Sequence, residues 1–248
     1  LKGGGADYTA TTGTSVVLTT GASVNDVIEI LVYDVFAIAD HVKKSGDAMT
    51  GALTNIDVNG TELILDADGD TSIDASTDDT LILKTNSNTA LSIDANGHIT
   101  KPLQPAFLAF ADDSQSNIAS DTATTFQFNG EIFDQGGDFN TSTYKFTAPV
   151  TGKYQLQFKA YLNDVPIDAH FIYAQIVTSN RNYIHIFDPR GFDQALGQWF
   201  VDVSVLADMD ASDTAHCLIY VRLGSATLDI YGEDTLNPST YFSGFLAC

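Results

Sequence analysis

The sequence predicts an all-β protein, and three observations lead there. Residues 154–162 alternate strictly, with Tyr154, Leu156, Phe158 and Ala160 on one face and Gln155, Gln157, Lys159 and Tyr161 on the other. The same period of two recurs at 171–177, 199–206, 214–223 and 241–247. Long helical periodicity is nearly absent, and turns rich in Asp, Asn and Gly separate the alternating runs.

Taken in order, residues 1–40 read as a small β module. "SVVLTT" (15–20) and "VIEILVYDVF" (27–36) are rich in β-branched residues and flank the turn-like "GASVND". Residues 41–54, with paired lysines and two glycines, read as a connector. Residues 55–100 carry a weak repeat in "LILDADGD", "SIDASTDD", "LILKTNSN" and "SIDANG", each an apolar pair before a polar turn. Strands this short do not bury a core within one chain. Stacking on themselves, or on identical chains around an axis, would supply the missing surface, which is the composition of a β-rich fibre shaft; a loop-rich β subdomain is the alternative. From 101 to 248 the strands lengthen and aromatics rise, the pattern of a β-sandwich head.

Composition narrows the partners. With 32 acidic and 11 basic residues the formal charge is −21, which argues against nucleic acid and anionic membranes. No apolar run reaches the ~18 residues of a membrane span. Cys217 and Cys248 make no disulfide framework and read as free thiols, with Cys217 a small core residue, a single bridge between them being the alternative. Catalytic signatures are missing: no G-x-S-x-G, no H-E-x-x-H and no Cys/His cluster, with His41, His98, His170, His185 and His216 standing singly. "DADGD" puts Asp66, Asp68 and Asp70 at alternate positions, but neither the glycine nor the glutamate of a calcium-binding loop falls in register, so it reads as a polar turn. The expectation is a protein that is not an enzyme and takes no cofactor or metal.

Several motifs bear a family resemblance. Pro105-Ala106-Phe107, Phe133-Asp134, Phe139, Phe146-Thr147-Ala148-Pro149, Gly152, Tyr154, Phe158 and Phe242-Ser243-Gly244-Phe245-Leu246 stand in an order that resembles the globular head of the complement C1q/tumour-necrosis-factor superfamily. The resemblance implies a ten-stranded C1q-like jelly roll, a tight homotrimer and a role in binding. Some such trimers hold a metal on their axis, so an axial ion stays open. Family members usually carry Gly-Asp before the penultimate strand, whereas this chain has Ser212-Asp213, with Asp213 expected to serve as the turn acid. "DYTATTGTSVVLTTGASVNDVIEILVYDVF" and "KKSGDAMTGAL" look like modules of bacteriophage tail-fibre proteins, and "LILDADGDTSIDASTDDTLILK" is similar to repeats in fibres of marine phages. Together the resemblances imply a virion tail fibre, acting outside the cell, that attaches through its N-terminal region to other virion proteins. Its trimeric tip would bind a host surface glycan or protein.

Jelly-roll strand alternation places loops 163–169, 188–198 and 224–240 at the tip, and 178–183 and 207–213 at the base. The receptor-contact candidates are Arg190, Phe192 and Asp193 in one tip loop and Asp229, Tyr231, Glu233, Asp234 and Asn237 in another. Phe192 and Tyr231 serve equally well as pins for their loops. Trp199 reads as core or trimer interface. The rival functions are a structural tail or head fibre whose jelly roll is only a trimerisation cap, a glycan hydrolase, and a free-standing lectin.

Overall fold

The computed structural model describes residues 8–9, 16–28, 58, 60–194, 196–222, 224 and 227–248. The chain divides into two compact units, Leu1–Ile56 and Asp57–Cys248. In the first unit β1 (Tyr8–Thr9) pairs antiparallel with β2 (Val17–Leu18), so "SVVLTT" contributes a strand. Val27 and Ile28 are exposed and outside any strand; the rest of the predicted strand at 27–36 and the connector at 41–54 lie outside the described residues.

Within the second unit, β3 (Leu63–Ile64), β4 (Ser72–Asp74), β5 (Leu81–Thr85), β6 (Asn88–Ile93) and β7 (Ile99–Thr100) form an antiparallel meander in chain order. Its buried residues are polar, Ser72 and Asp74, while Leu63, Ile64, Leu81, Leu83 and Ile99 are exposed. Asp74 is held by Lys84 at 2.6 Å, and Lys84 also reaches Glu62 at 3.1 Å. Those contacts hold the Asp74 carboxyl well below the usual carboxylate range, the Lys84 hydrogen bond first among the causes.

The head is a two-sheet sandwich. Its strands are β8 (Ala106–Phe110), β9 (Gln115–Ile118), β10 (Thr124–Thr125), β11 (Gly130–Gln135), β12 (Phe139–Asn140), β13 (Lys145–Thr147), β14 (Gly152–Val165), β15 (Phe171–Thr178), β16 (Asn182–Phe187), β17 (Leu196–Met209), β18 (Thr214–Arg222), β19 (Leu228–Ile230) and β20 (Tyr241–Leu246). The short pieces β10, β12 and β19 are what take the described strands beyond the ten expected. One sheet runs β12-β13-β18-β15-β16, with β10 also on β18; the other runs β11-β8-β20-β14-β19-β9, with β17 on the far side of β14.

Alternation fills the space between them. Tyr154, Leu156, Phe158, Ala160 and Leu162 of β14 are fully buried, facing Ile172, Ala174 and Ile176 of β15 and Cys217, Ile219 and Val221 of β18 across one core. Phe107 stacks on Phe146 at 4.7 Å and Phe139 at 5.2 Å, with Phe242 edge-on at 5.1 Å. Gly244 follows from that density: a Cβ there would lie 2.7 Å from Leu156 Cδ2 and 2.8 Å from Phe107 Cε1.

Strand ends differ from the sequence reading where a distant partner extends them. β14 continues to Val165 because Leu196 pairs with it, so the predicted loop 163–169 shrinks to 166–170 and β17 begins before 199. β17 likewise runs on to Met209 opposite Gly152, leaving 210–213 as the turn. The predicted loop 224–240 is interrupted by β19, which pairs with β9 and β14.

Candidate functional site

The ladder registers separate two ends of the head. At the proximal end Ala106 pairs with Phe245, Gly152 with Met209, and Cys248 O accepts from Lys153 N at 2.7 Å. At the distal end Val165 pairs with Leu196, Leu162 with Ile230 and Phe171 with Arg222. Segments 166–170, 188–194 and 231–240 therefore gather distally, and 179–181 and 210–213 lie proximally, the ends that strand alternation assigns them.

The first distal segment is built on a short 3-10 turn, Pro189–Gly191, capped by Asp188. Arg190 donates through Nε and Nη2 to the two Asp188 carboxylate oxygens at 2.9 and 2.6 Å. The planar fork lowers the Asp188 pKa to about 2, with His170 adding to the favourable field. Phe192 packs edge-on against Trp199, rings 5.2 Å apart, and Trp199 packs on the core beside Phe187. Asp193 is exposed.

The second distal segment splits its candidates. Asp229 accepts from the Asn117 amide at 2.7 Å, which ties β19 to β9. Asp234 accepts from the Leu236 amide at 3.0 Å, and the Asn237 amide donates to Asp234 O at 3.2 Å, a closed and exposed turn. Tyr231 and Glu233 instead come together in a cavity of about 440 Å³, lined also by Lys159, Tyr161, Asn163, Gln198, Phe200 and Ser239. Tyr161 lies 4.6 Å from Phe200 and 5.3 Å from Tyr231, edge-on to both. Gly232 is required between Tyr231 and Glu233, because a Cβ there would sit 2.2 Å from Asp113 O.

The two outer faces of the sandwich differ in kind. On the seven-stranded sheet, cross-strand rows read Leu206, Gln155, Phe245, Ala106; then Ser204, Gln157, Ser243, Leu108, Phe133; then Asp202, Lys159, Tyr241, Phe110, Gly130. Within these rows Lys159 and Asp202 alone carry charge, and they face each other. Phe200, Leu206, Phe245 and Phe133 are each about half exposed. On the six-stranded sheet Phe171, Tyr173 and Tyr220 form a stack near the distal end, with Tyr173 and Tyr220 centroids 5.2 Å apart at 14°. Arg222 Nη1 and Tyr220 OH both donate to Asp121 Oδ1, at 2.8 and 3.1 Å.

Asp66, Asp68 and Asp70 bring carboxylate oxygens within 4.8 Å of one another. Asp66 Oδ1 accepts from the Gly69 and Thr71 amides at 3.1 and 3.2 Å, the bonding of the polar turn expected from the sequence.

The family model of the C1q domain matches residues 106–247, more than half of the chain. The chain belongs to the C1q domain family. Among solved structures, the globular domain of zebrafish complement 1qA protein is 17% identical at a TM-score of 0.41, over 58% of this chain and 98% of that one. Murine APRIL is 14% identical at a TM-score of 0.41, over 58% and 98%. No curated protein matches the chain. C1q domains commonly act as trimerising or binding modules, typically without enzymatic activity.

Within this C1q domain the motif residues have plain physical jobs. Asp134 accepts from the Asp138 and Phe139 amides at 3.1 and 3.0 Å, and so closes the loop that delivers Phe139 to the core. Asp213 takes the role expected of it, its Oδ2 accepting from the Asp210 amide at 2.8 Å and from Asn180 Nδ2 at 3.0 Å. Ser212 beside it adopts φ +76°, the left-handed region that glycine occupies without strain. The aromatic stack of the six-stranded sheet was not among the sequence candidates. Its signal was present: Phe171 and Tyr173 occupy alternate positions of "FIYAQIVT", opposite the buried Ile172 and Ala174.

Proposed function

We propose that this chain is a bacteriophage tail-fibre component whose homotrimeric C1q head recognises a host cell surface. The observation that carries this reading is the outer face of the seven-stranded sheet, where β14 and β17 set Lys153 opposite Asp208 and Lys159 opposite Asp202 and where Phe200, Leu206, Phe245 and Phe133 stand half exposed, in a chain of net charge −21. Such a face suits burial against identical copies. Two buried polar atoms at its distal edge, Asn163 Oδ1 and Ser239 Oγ, have no partner among the described residues, and a neighbouring copy would supply one. C1q domains typically assemble as homotrimers. With this face against its neighbours, the distal segments and the six-stranded sheet are what a trimer presents outward. Three copies per fibre give avidity to a weak single contact.

The sheet at 61–100 supports the fibre part of the reading. Its exposed Leu and Ile side chains have no core of their own, as expected of a shaft completed by identical chains. The same observation favours a second reading, in which the head is a cap that registers the shaft and needs no ligand. Charge reversal separates the two. Arg190→Glu and Asp234→Lys, introduced into the phage, are expected to reduce adsorption at least tenfold while the purified fibre stays folded and of unchanged mass. Wild-type adsorption by both variants favours the cap.

A further inference from the structure

We propose that the distal half of the six-stranded sheet's outer face binds a neutral glycan, with Phe171, Tyr173 and Tyr220 as its platform and the Asp121–Arg222 and Asp188–Arg190 pairs as its rim. This deepens the recognition role proposed above and rests on it.

The platform comes from register. Tyr220 of β18 pairs directly with Tyr173 of β15, which pairs with Ile186 of β16, so one row carries three large side chains on the outer face. Phe171 stands next to Tyr173 on the same face, opposite Arg222. The three rings lie within 14–28° of parallel, with centroids 5.2 to 6.3 Å apart. At that spacing and tilt the rings overlap only in part, and each keeps some of its π surface for a ligand. Ile186, 60% exposed, extends the apolar strip. The C–H face of a pyranose ring fits such a strip.

The rim specifies polarity without net charge. Asp121 is fixed beside β18 by its amide, which donates to Val221 O at 2.7 Å, and its carboxylate accepts from both Tyr220 and Arg222. One step past the last β15–β16 pair, Ile172 with Phe187, the chain reaches Asp188, whose turn packs beside β15 and whose carboxylate is forked by Arg190. Each arginine is thus neutralised by its own aspartate, and all four side chains are between 39 and 51% exposed. An ionic ligand finds no net charge at either pair to offset the loss of its own hydration. A sugar has no charge to desolvate: its hydroxyls accept from guanidinium N–H groups and donate to carboxylate oxygens while both pairs stay closed. Charge complementarity therefore favours a neutral polyhydroxyl partner over an acidic or basic one.

The test uses the full chain and two variants, Tyr220→Ser and Tyr173→Thr, each checked for unchanged mass and thermal unfolding. Binding is measured to susceptible cells before and after periodate cleavage of vicinal diols, and to surfaces coated with dextran, mannan or galactan. The expected result is binding that periodate abolishes and that each variant weakens at least tenfold. Variants that bind cells as the wild type does overturn the site while host recognition stands. Periodate-resistant binding lost in the variants overturns the glycan in favour of a protein partner. Variants of altered mass assign the face to the assembly and overturn the proposal. If the wild-type chain binds no cell, the recognition role fails, and the polysaccharide surfaces decide the site alone: binding lost in Tyr220→Ser upholds it, and no binding overturns it.

Discussion

Strands in the sheet at 61–100 and strands in the head both alternate apolar with polar residues, yet they end in opposite conditions. In the head the apolar positions of one sheet meet those of another, and Tyr154, Leu156, Phe158 and Phe242 lose all solvent contact. In the sheet at 61–100 the apolar positions meet only their ladder neighbours, Leu83 beside Ile73 and Leu91 and Leu81 beside Ile93, so Leu81, Leu83 and Ile99 stay exposed, and burial falls on Ser72 and Asp74. Alternation specifies a face, and a core requires a second face to close on it. The head carries both of its faces in one chain, whereas the smaller sheet is joined by its main-chain ladders, with the Glu62–Lys84–Asp74 contacts across β4 and β5.

The largest effect that would sharpen this contrast lies in the head. Phe242→Ala removes a ring that touches Phe107, Phe128 and Phe139, and is expected to cost about 3–5 kcal/mol in denaturant unfolding. Amide exchange in 61–100 should be unchanged by it.

The second effect lies in the smaller sheet and runs the other way. Lys84→Met leaves the Asp74 carboxylate without its cation and should raise amide exchange throughout 61–100, with the head as protected as before. The same pair sets an acid limit. The Asp74 pKa is depressed in the folded sheet, so its stabilising contribution is present above the ordinary carboxylate value of about 3.9 and is lost as pH falls below it toward the depressed value. Protection of 61–100 that holds from pH 7 to about 4 and then declines is the expected profile. A decline that begins near neutrality would break the comparison.

The smallest effect tests a departure from the family pattern. Ser212→Gly relieves a left-handed backbone costing about 1–2 kcal/mol, less the roughly 0.4–1 kcal/mol of extra unfolded-chain freedom that glycine brings. The variant should be more stable by about 0.5–1 kcal/mol, measured as a shifted denaturation midpoint at constant slope. A loss of stability would mean that the serine has a role the turn geometry does not explain.

Much of the head was legible because alternation is a local signal. The strand at 154–162 needed only its own residues to show which face is buried, and strand parity sufficed to order the loops between the ends. Boundaries were less legible, because Val165 is a strand residue only by virtue of Leu196. The candidate residues divide along the same line. Arg190 finds its aspartate two positions away, within reach of a sequence reading. Asp229 is spent on an amide 112 positions earlier, and no local pattern announces that. Tyr231 belongs to a cavity assembled by β14 and β17, which became visible only once the strands were in register. The Phe171–Tyr173–Tyr220 stack needed β15 and β18 to be neighbours before its outward aromatics became one surface.

The proposed host recognition by a trimeric head is tested most directly by adding the purified chain to susceptible cells and measuring how far it blocks adsorption of the proposed phage. Saturable binding, with adsorption falling in step with occupancy, is the predicted result. A well-folded trimer that leaves adsorption untouched on cells the phage infects would contradict it and would assign recognition to another protein of the particle.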